Sequence, residues 1–178
     1  MHPDPIETYD DVLSPEECRV WIEHAEAAGF DDAPVTLPQG IVRRPEIRNN
    51  TRMMADDHAR VALIWSRVRA RVPQELDGWR VVGLNERLRW YRYDPGQYFA
   101  PHRDGAFVRG PDERSLFTFM VYLNDDFDGG QTAFPGVEVT PAAGRALLFW
   151  HGLLHEGREV TRGRKYAVRS DLMFRRAP

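Results

Sequence analysis

The sequence predicts a mainly β protein of the sandwich or jelly-roll type, with helices packed on one outer sheet face. Three observations predict it. From about Val81 onward, eight short segments rich in Val, Phe, Tyr and Leu alternate with turn signals. Before Val81, two stretches carry apolar residues at helical spacing instead. The chain has 178 residues, 42% of them hydrophobic and 29% charged, which is enough for one domain with a buried core. Residues 1–178 therefore read as a single domain, with residues 1–80 mainly helical and residues 81–178 forming the β core.

The first helix begins at Ser14-Pro15-Glu16-Glu17, where a capping serine precedes a proline at the first helical position and a glutamate three residues on. Trp21, Ile22, Ala25 and Ala28 form its apolar stripe, and Gly29 ends it. A second helix is expected from Asp56-Asp57, with Val61, Ile64, Trp65, Val68 and Val72 on one face and Pro73 as its stop. Between the two, Ala33 to Asn50 reads as a long irregular loop containing Arg43, Arg44 and Arg48. It could border a site entrance and favour an acidic peptide or a carboxylate, or be a solvated basic loop. The strands are expected near 85–93, 98–103, 115–123, 131–134, 137–140, 145–150, 153–160 and 165–174. Pro95-Gly96, Gly105, Asp128-Gly129-Gly130, Pro135-Gly136, Ala143-Gly144 and Arg162-Gly163 separate them.

The formal net charge of −3 argues against a uniformly basic nucleic-acid surface, so no nucleic-acid partner is expected. No apolar run approaches the roughly 20 residues of a membrane span, so no membrane partner is expected either. The opening MHPDPIETYDD has neither a basic nor an apolar leader region. Cys18 is the single cysteine, which suggests a reducing, cytoplasmic setting. Lys165 is the single lysine among 24 basic residues. A chain that uses arginine everywhere else has kept one compact ammonium, which points to a specific need for a point charge there.

Three places carry chemistry. In His102-Arg103-Asp104, the first and third residues of an extended segment point to the same side and can reach one ion, while Arg103 points away. His155 could complete a set of two histidines and one carboxylate, the facial triad of non-haem iron oxygenases. His151, four residues earlier, competes for that place, and Gly152 prevents strand parity from deciding. On the last strand, Tyr166, Val168, Leu172 and Phe174 share one face, suited to packing under the helices. Lys165, Ala167, Arg169, Asp171 and Met173 share the other. Two inward cations call for an anion; the alternative is an edge strand with a surface Arg169–Asp171 pair. Arg89 and Tyr91 share parity with Tyr93, either facing a substrate or serving as buried structural residues.

Taken together these motifs resemble the Fe(II)/2-oxoglutarate-dependent dioxygenases of the prolyl 4-hydroxylase-like superfamily. The resemblance runs from about Leu88 to Phe174. It comprises Tyr93-Asp94-Pro95-Gly96-Gln97 before His102-Arg103-Asp104, then Thr118 and Tyr122-Leu123-Asn124, then Gly129-Gly130-Gln131-Thr132 with Phe134. Pro141, Gly144 and Phe149 follow, and His155-x-Gly157 leads ten residues on to Lys165-Tyr166. The resemblance implies a double-stranded β-helix, and Fe(II) held by His102, Asp104 and His155, with His155 preferred over His151. It implies 2-oxoglutarate as co-substrate, its far carboxylate on Lys165, with Tyr93, Tyr122 and Thr132 as hydrogen-bonding partners and Thr118 lining the pocket. Arg169 is a second cation that could share the carboxylate. O2 would be consumed, ascorbate would serve as reductant, and succinate and CO2 would form as a C–H bond in a protein residue or small molecule is hydroxylated. Arg89, Tyr91 and Arg43 are candidate substrate contacts. The segment between Phe149 and His155 is shorter than in animal collagen-type relatives. The alternatives are a non-catalytic jelly-roll module that senses a metal or carboxylate, and a cupin-like metal enzyme acting without 2-oxoglutarate.

Overall fold

The computed structural model describes residues 6–37 and 40–176. Two antiparallel sheets face each other. In the larger, strands follow the order Ile6–Tyr9, Ala146–Trp150, Glu113–Tyr122, Lys165–Arg176, Arg87–Tyr93, Thr51–Asp56 and Asp31–Asp32. The smaller runs Val137–Val139, Thr132–Phe134, His155–Gly157 and Phe99–His102. This is the jelly-roll arrangement, with the site between the sheets.

Period-two alternation on the Lys165–Arg176 strand separates the two environments. Val168, Leu172 and Phe174 join a buried cluster with Leu88, Trp90, Phe117, Phe119 and the helical residues Trp21, Ala25, Val61, Ile64 and Val68. Burying several such side chains contributes about 1.5–3 kcal/mol each, which fixes this face of the strand against the helices. On that opposite face stand Lys165, Ala167, Arg169 and Asp171. The strand is central, paired on one side with Glu113–Tyr122 and on the other with Arg87–Tyr93. The Arg169–Asp171 pair exists, at 3.0 Å, but it is buried rather than at a surface edge. The alternative of an edge strand is thereby corrected.

The first helix spans Pro15–Ala28 as its signals predict, with both hydrogen bonds of the Ser14/Glu17 capping box in place and Gly29 at its end. The second spans His58–Val68 and stops well before Pro73. The chain turns after Val68, where the Arg71 N–H donates to the Val68 carbonyl. Val72 is buried from that turn rather than by helical periodicity.

Residues 1–80 are less helical than their composition suggests. Ile6–Tyr9, Thr51–Asp56 and Glu75–Leu76 are strands of the larger sheet, and Trp79–Leu84 begins there. Thr51-Arg52-Met53-Met54 has no strong β-propensity, and it is pairing with Arg87–Tyr93 that makes it a strand. The Ala33–Asn50 stretch is not wholly irregular. Val35–Leu37 pairs with Gly40–Val42, and Arg48 bridges to Phe99 at the edge of the smaller sheet. The single strand expected over 153–160 is two. His155–Gly157 pairs with Phe99–His102 and Thr132–Phe134, whereas Val160–Arg162 turns away to pair with Asp128–Gly129. No helix among the described residues is long and apolar enough to cross a membrane.

Candidate metal and co-substrate site

His102 ends one strand of the smaller sheet and His155 begins its neighbour, and the two are directly paired in register. Asp104 follows two residues after His102. Its backbone N–H donates to the His151 carbonyl at 3.0 Å, which pins the chain as it leaves the strand. The His102 Nε2 lies 3.7 Å from Asp104 Oδ1 and the His155 Nε2 lies 3.7 Å from Asp104 Oδ2. One donor atom from each of the three falls within 4.8 Å of the others.

The donor set fits a divalent cation of the iron type. The Nδ1 of His102 faces the Ala100 carbonyl at 2.8 Å and the Nδ1 of His155 faces the Leu153 carbonyl at 3.0 Å. Each Nδ1 is therefore the protonated nitrogen, and each Nε2 turns a lone pair toward Asp104. Burial lowers both imidazoles, His102 to about 4, so both rings are neutral near pH 7. Burial acts to raise the Asp104 carboxyl, but Arg169 and the two histidines outweigh it and hold the group well below the usual carboxylate range. Aromatic rings fix the imidazoles. Phe99 stacks on His102 at 3.4 Å between centroids, and Phe149 meets His155 edge-on at 4.4 Å.

The cleft beside these three donors is lined by Tyr91, Tyr93, Thr118, Thr132, Lys165 and Arg169 among others. Lys165 stands at its floor, 3% exposed, and its Nζ donates to the Gly130 carbonyl at 2.6 Å. Gly130 has φ +68°, and a Cβ there would lie 2.9 Å from Phe127 and 3.1 Å from the Lys165 side chain. The double glycine thus lets the backbone carbonyl approach the ammonium. The amine lies 5.1 Å from the Tyr93 ring centroid and 5.4 Å from that of Tyr122. Burial alone lowers the Lys165 amine to about 7. A buried ammonium with one carbonyl and two ring faces around it is a site built for an anion.

Of the other candidates, Tyr93 lines the cleft and burial pushes its hydroxyl up to about 12. Tyr122 and Thr132 are bonded to each other at 2.7 Å, with Thr132 on the cleft and Tyr122 buried behind it. Thr118 donates to Asp104 Oδ2. Arg169 lines the cleft but is committed to carboxylates, with Nη1 on Asp104 and Nη2 on Asp171. Tyr91 is in the lining, whereas Arg89 lies outside it and pairs with Asp171 at 3.1 Å. Arg43 is also outside, exposed and paired with Asp32 at 2.9 Å. Arg103 is exposed and donates to the Gly152 carbonyl.

Two residues acquire roles at the site that spacing did not assign. His151 is not among the clustered donors; its ring lies between Ser115 Oγ and Thr118 Oγ1 at 2.8 and 2.9 Å. Arg48, from the basic loop, is 6% exposed, with its guanidinium carbon 4.5 Å from the centroids of both Tyr91 and Phe99. A loop arginine between two aromatic rings leaves no periodic trace in a sequence.

The mainly β jelly-roll fold thus brings a cluster of His/Asp/His donors beside a buried lysine in one cleft. The 2OG-Fe(II) oxygenase superfamily profile matches residues 88–170. Prolyl 4-hydroxylase 1 of Arabidopsis thaliana is 28% identical over 186 residues, covering 89% of this chain and 65% of that protein. A PKHD-type hydroxylase of Maricaulis maris is 33% identical over 81 residues, covering 43% of this chain and 37% of the other. The chain thus spans less than two thirds of each of these two curated relatives. Among solved structures, the viral collagen prolyl hydroxylase of Paramecium Bursaria Chlorella virus-1, in its 2OG complex, superposes with a TM-score of 0.70 at 25% identity, covering 97% of each chain. Over residues 88–170, the stretch that holds His102, Asp104, His155 and Lys165, the chain is thus similar to the 2OG-Fe(II) oxygenase superfamily.

Proposed function

We propose that this protein couples the oxidative decarboxylation of 2-oxoglutarate to succinate and CO2 with hydroxylation of an unactivated C–H bond in a protein residue or small molecule. The observation that carries this reading is the convergence of His102, Asp104 and His155 within 4.8 Å beside a buried ammonium in the same cleft. Bound Fe(II) supplies the redox chemistry that joins O2, the co-substrate and the target C–H bond. The chain's part is placement. His102, Asp104 and His155 would hold the metal beside the cleft. Lys165 takes the far carboxylate of 2-oxoglutarate, with the Tyr93 and Thr132 hydroxyls beside it. Arg169 keeps its bonds to Asp104 and Asp171 and orients the carboxylate ligand. Burial of Lys165, Asp104 and Arg169 strengthens each charge-assisted bond. The viral neighbour's 2OG complex supports the choice of co-substrate. The single buried cysteine accords with a cytoplasmic setting.

The test is succinate formation with Fe(II), ascorbate and 2-oxoglutarate under air. Wild type is expected to form succinate, and His155→Ala to lose both succinate formation and metal affinity. A protein that binds metal and 2-oxoglutarate yet forms no succinate with any candidate substrate would instead be the sensor module.

A further inference from the structure

The inner face of the larger sheet carries more positive charge than its carboxylates balance. In register, Lys165 stands beside Tyr93, Ala167 beside Tyr91 and Arg169 beside Arg89. Tyr91 in turn stands beside Arg52 on the next strand. Cross-strand partners share a face, so Ala167, Tyr91 and Arg52 form one row across three strands, next to the Lys165–Tyr93 row. Arg48 comes from its loop to lie over the Tyr91 ring, and it borders an adjoining crevice with Asp32, Arg43 and Asn50; of this group Tyr91 and Arg169 line the cleft itself, whereas Arg48 and Arg52 stand behind Tyr91.

Four guanidinium groups, Arg48, Arg52, Arg89 and Arg169, therefore surround Tyr91, with Asp104 and Asp171 as the carboxylates among them. Arg89 and Arg169 use those carboxylates. Arg48 and Arg52 form no ion pair among the described residues. The Arg48 guanidinium carbon lies 4.5 Å from the ring centroids of both Tyr91 and Phe99, its Nε donates to Asn50 Oδ1 at 2.7 Å, and the group also meets the Tyr93 hydroxyl. Its Nη2 is buried with no hydrogen-bond partner among the described residues. Ring faces satisfy the charge of a guanidinium but not its N–H edge. The Tyr91 hydroxyl, on the cleft, likewise forms no hydrogen bond among the described residues. Arg52 is half-buried and feels Arg48 and Arg89 as like charges, and burial together with those neighbours disfavours its charged form. Unpaired donors and unbalanced like charge at one spot indicate a missing anion.

We propose that Arg48 and Arg52, with the Tyr91 hydroxyl, form a second anion subsite one row from Lys165, and that it receives a carboxylate of the prime substrate. This names the charge of the substrate in the reading above and rests on that reading. The substrate thereby spans from the metal-side cleft to the Tyr91 row, its carboxylate held by two arginines while Lys165 keeps the co-substrate.

The probes are N-acetyl-L-glutamate, as a small acid, and the capped peptide Ala-Ala-Glu-Ala-Ala, each against its glutamine counterpart. They are titrated by calorimetry into protein saturated with Mn(II) and 2-oxoglutarate, and into metal-free protein. A charged probe is expected to bind saturably, its amide counterpart at least tenfold more weakly, and Arg52→Gln to weaken the charged probe about tenfold. Arg52→Lys, which keeps the charge, retains most of the affinity, and 2-oxoglutarate binding is unchanged in both variants. Whichever charged probe binds identifies the source of the carboxylate. Equal binding of charged and neutral probes, no binding of either charged probe, or binding indifferent to Arg52→Gln overturns the proposal. Failure of Mn(II) and 2-oxoglutarate to bind at all sinks the oxygenase reading instead, and the metal-free titration reports on the subsite separately.

Discussion

The Thr118 hydroxyl lies 2.5 Å from Oδ2 of Asp104, and this contact sets the direction of every proton behind the candidate metal ligand. An ionised carboxylate only accepts, so Thr118 gives it its single proton. Thr118 must then accept from His151 Nδ1–H at 2.9 Å, which leaves His151 Nε2 to accept from the Ser115 hydroxyl at 2.8 Å. Ser115 in turn accepts from the Phe107 backbone N–H at 2.8 Å. Burial lowers His151 to about 4, so the ring stays in the neutral form the chain requires.

Removing the donor to Asp104 should loosen the metal. Thr118→Val is expected to weaken Mn(II) or Co(II) binding by about 10–100-fold, the usual effect of losing a partner behind a metal ligand. Thr118→Ser should restore most of it. Isothermal titration with the metal alone decides, and unchanged affinity in Thr118→Val would show that Asp104 needs no such support.

On the proposed function, Lys165 should make 2-oxoglutarate binding depend on pH. Its folded-state value of about 7 lies below the ordinary 10.5 of a lysine amine. A bound dicarboxylate requires the charged form. Affinity for 2-oxoglutarate should be level below about pH 7 and fall about tenfold per pH unit above it, with uptake of one proton. For the ligand-free fold the sign is opposite. Burial of the charged amine is a penalty fully present below about pH 7, and it is relieved as pH rises from there toward 10.5, so this residue's contribution to stability rises over that window. Lys165→Met should abolish both dependences, read by calorimetry in two buffers and by denaturant melts at pH 7 and 9.

Gly130→Ala should damage the same site from behind. The new Cβ meets Phe127 at 2.9 Å in a left-handed backbone conformation and crowds Lys165. A loss of roughly 1–3 kcal/mol is expected, together with weaker 2-oxoglutarate binding and unchanged metal affinity. Chemical denaturation and two separate titrations test the three parts.

Phe149 is 1% exposed and supports His155 edge-on. Phe149→Ala is expected to destabilise the fold by about 3–5 kcal/mol. Metal affinity should fall as His155 gains freedom. Phe149→Leu, which fills more of the volume, should recover stability more than metal affinity.

Arg169→Gln tests whether this arginine serves the carboxylate ligand or the co-substrate. It leaves the buried Asp104 without its arginine while Asp171 keeps Arg89, so about 3–5 kcal/mol of stability should be lost. The 2-oxoglutarate affinity of the folded fraction should change far less than in Lys165→Met. The reverse order would assign the far carboxylate to Arg169.

Local chemistry determined a great deal by itself. The Ser14 cap and Gly29 stop bound a real helix, the alternation in the last strand assigned both its faces, and the motif order brought His102, Asp104, His155 and Lys165 into one site. Each depends on neighbours in sequence or on a motif of several residues. What only the tertiary structure decided depends on partners far away along the chain. Thr51–Asp56 is a strand because Arg87–Tyr93 lies beside it. His151 stands apart from the donor cluster because Ser115 and Thr118 flank its ring. Arg48 is buried because Tyr91 and Phe99 close over it, and Arg89 turns to Asp171 instead of the cleft. Hydrogen bonds and ion pairs saturate according to which groups meet in space, and spacing along one chain does not encode which partner reaches a polar group first.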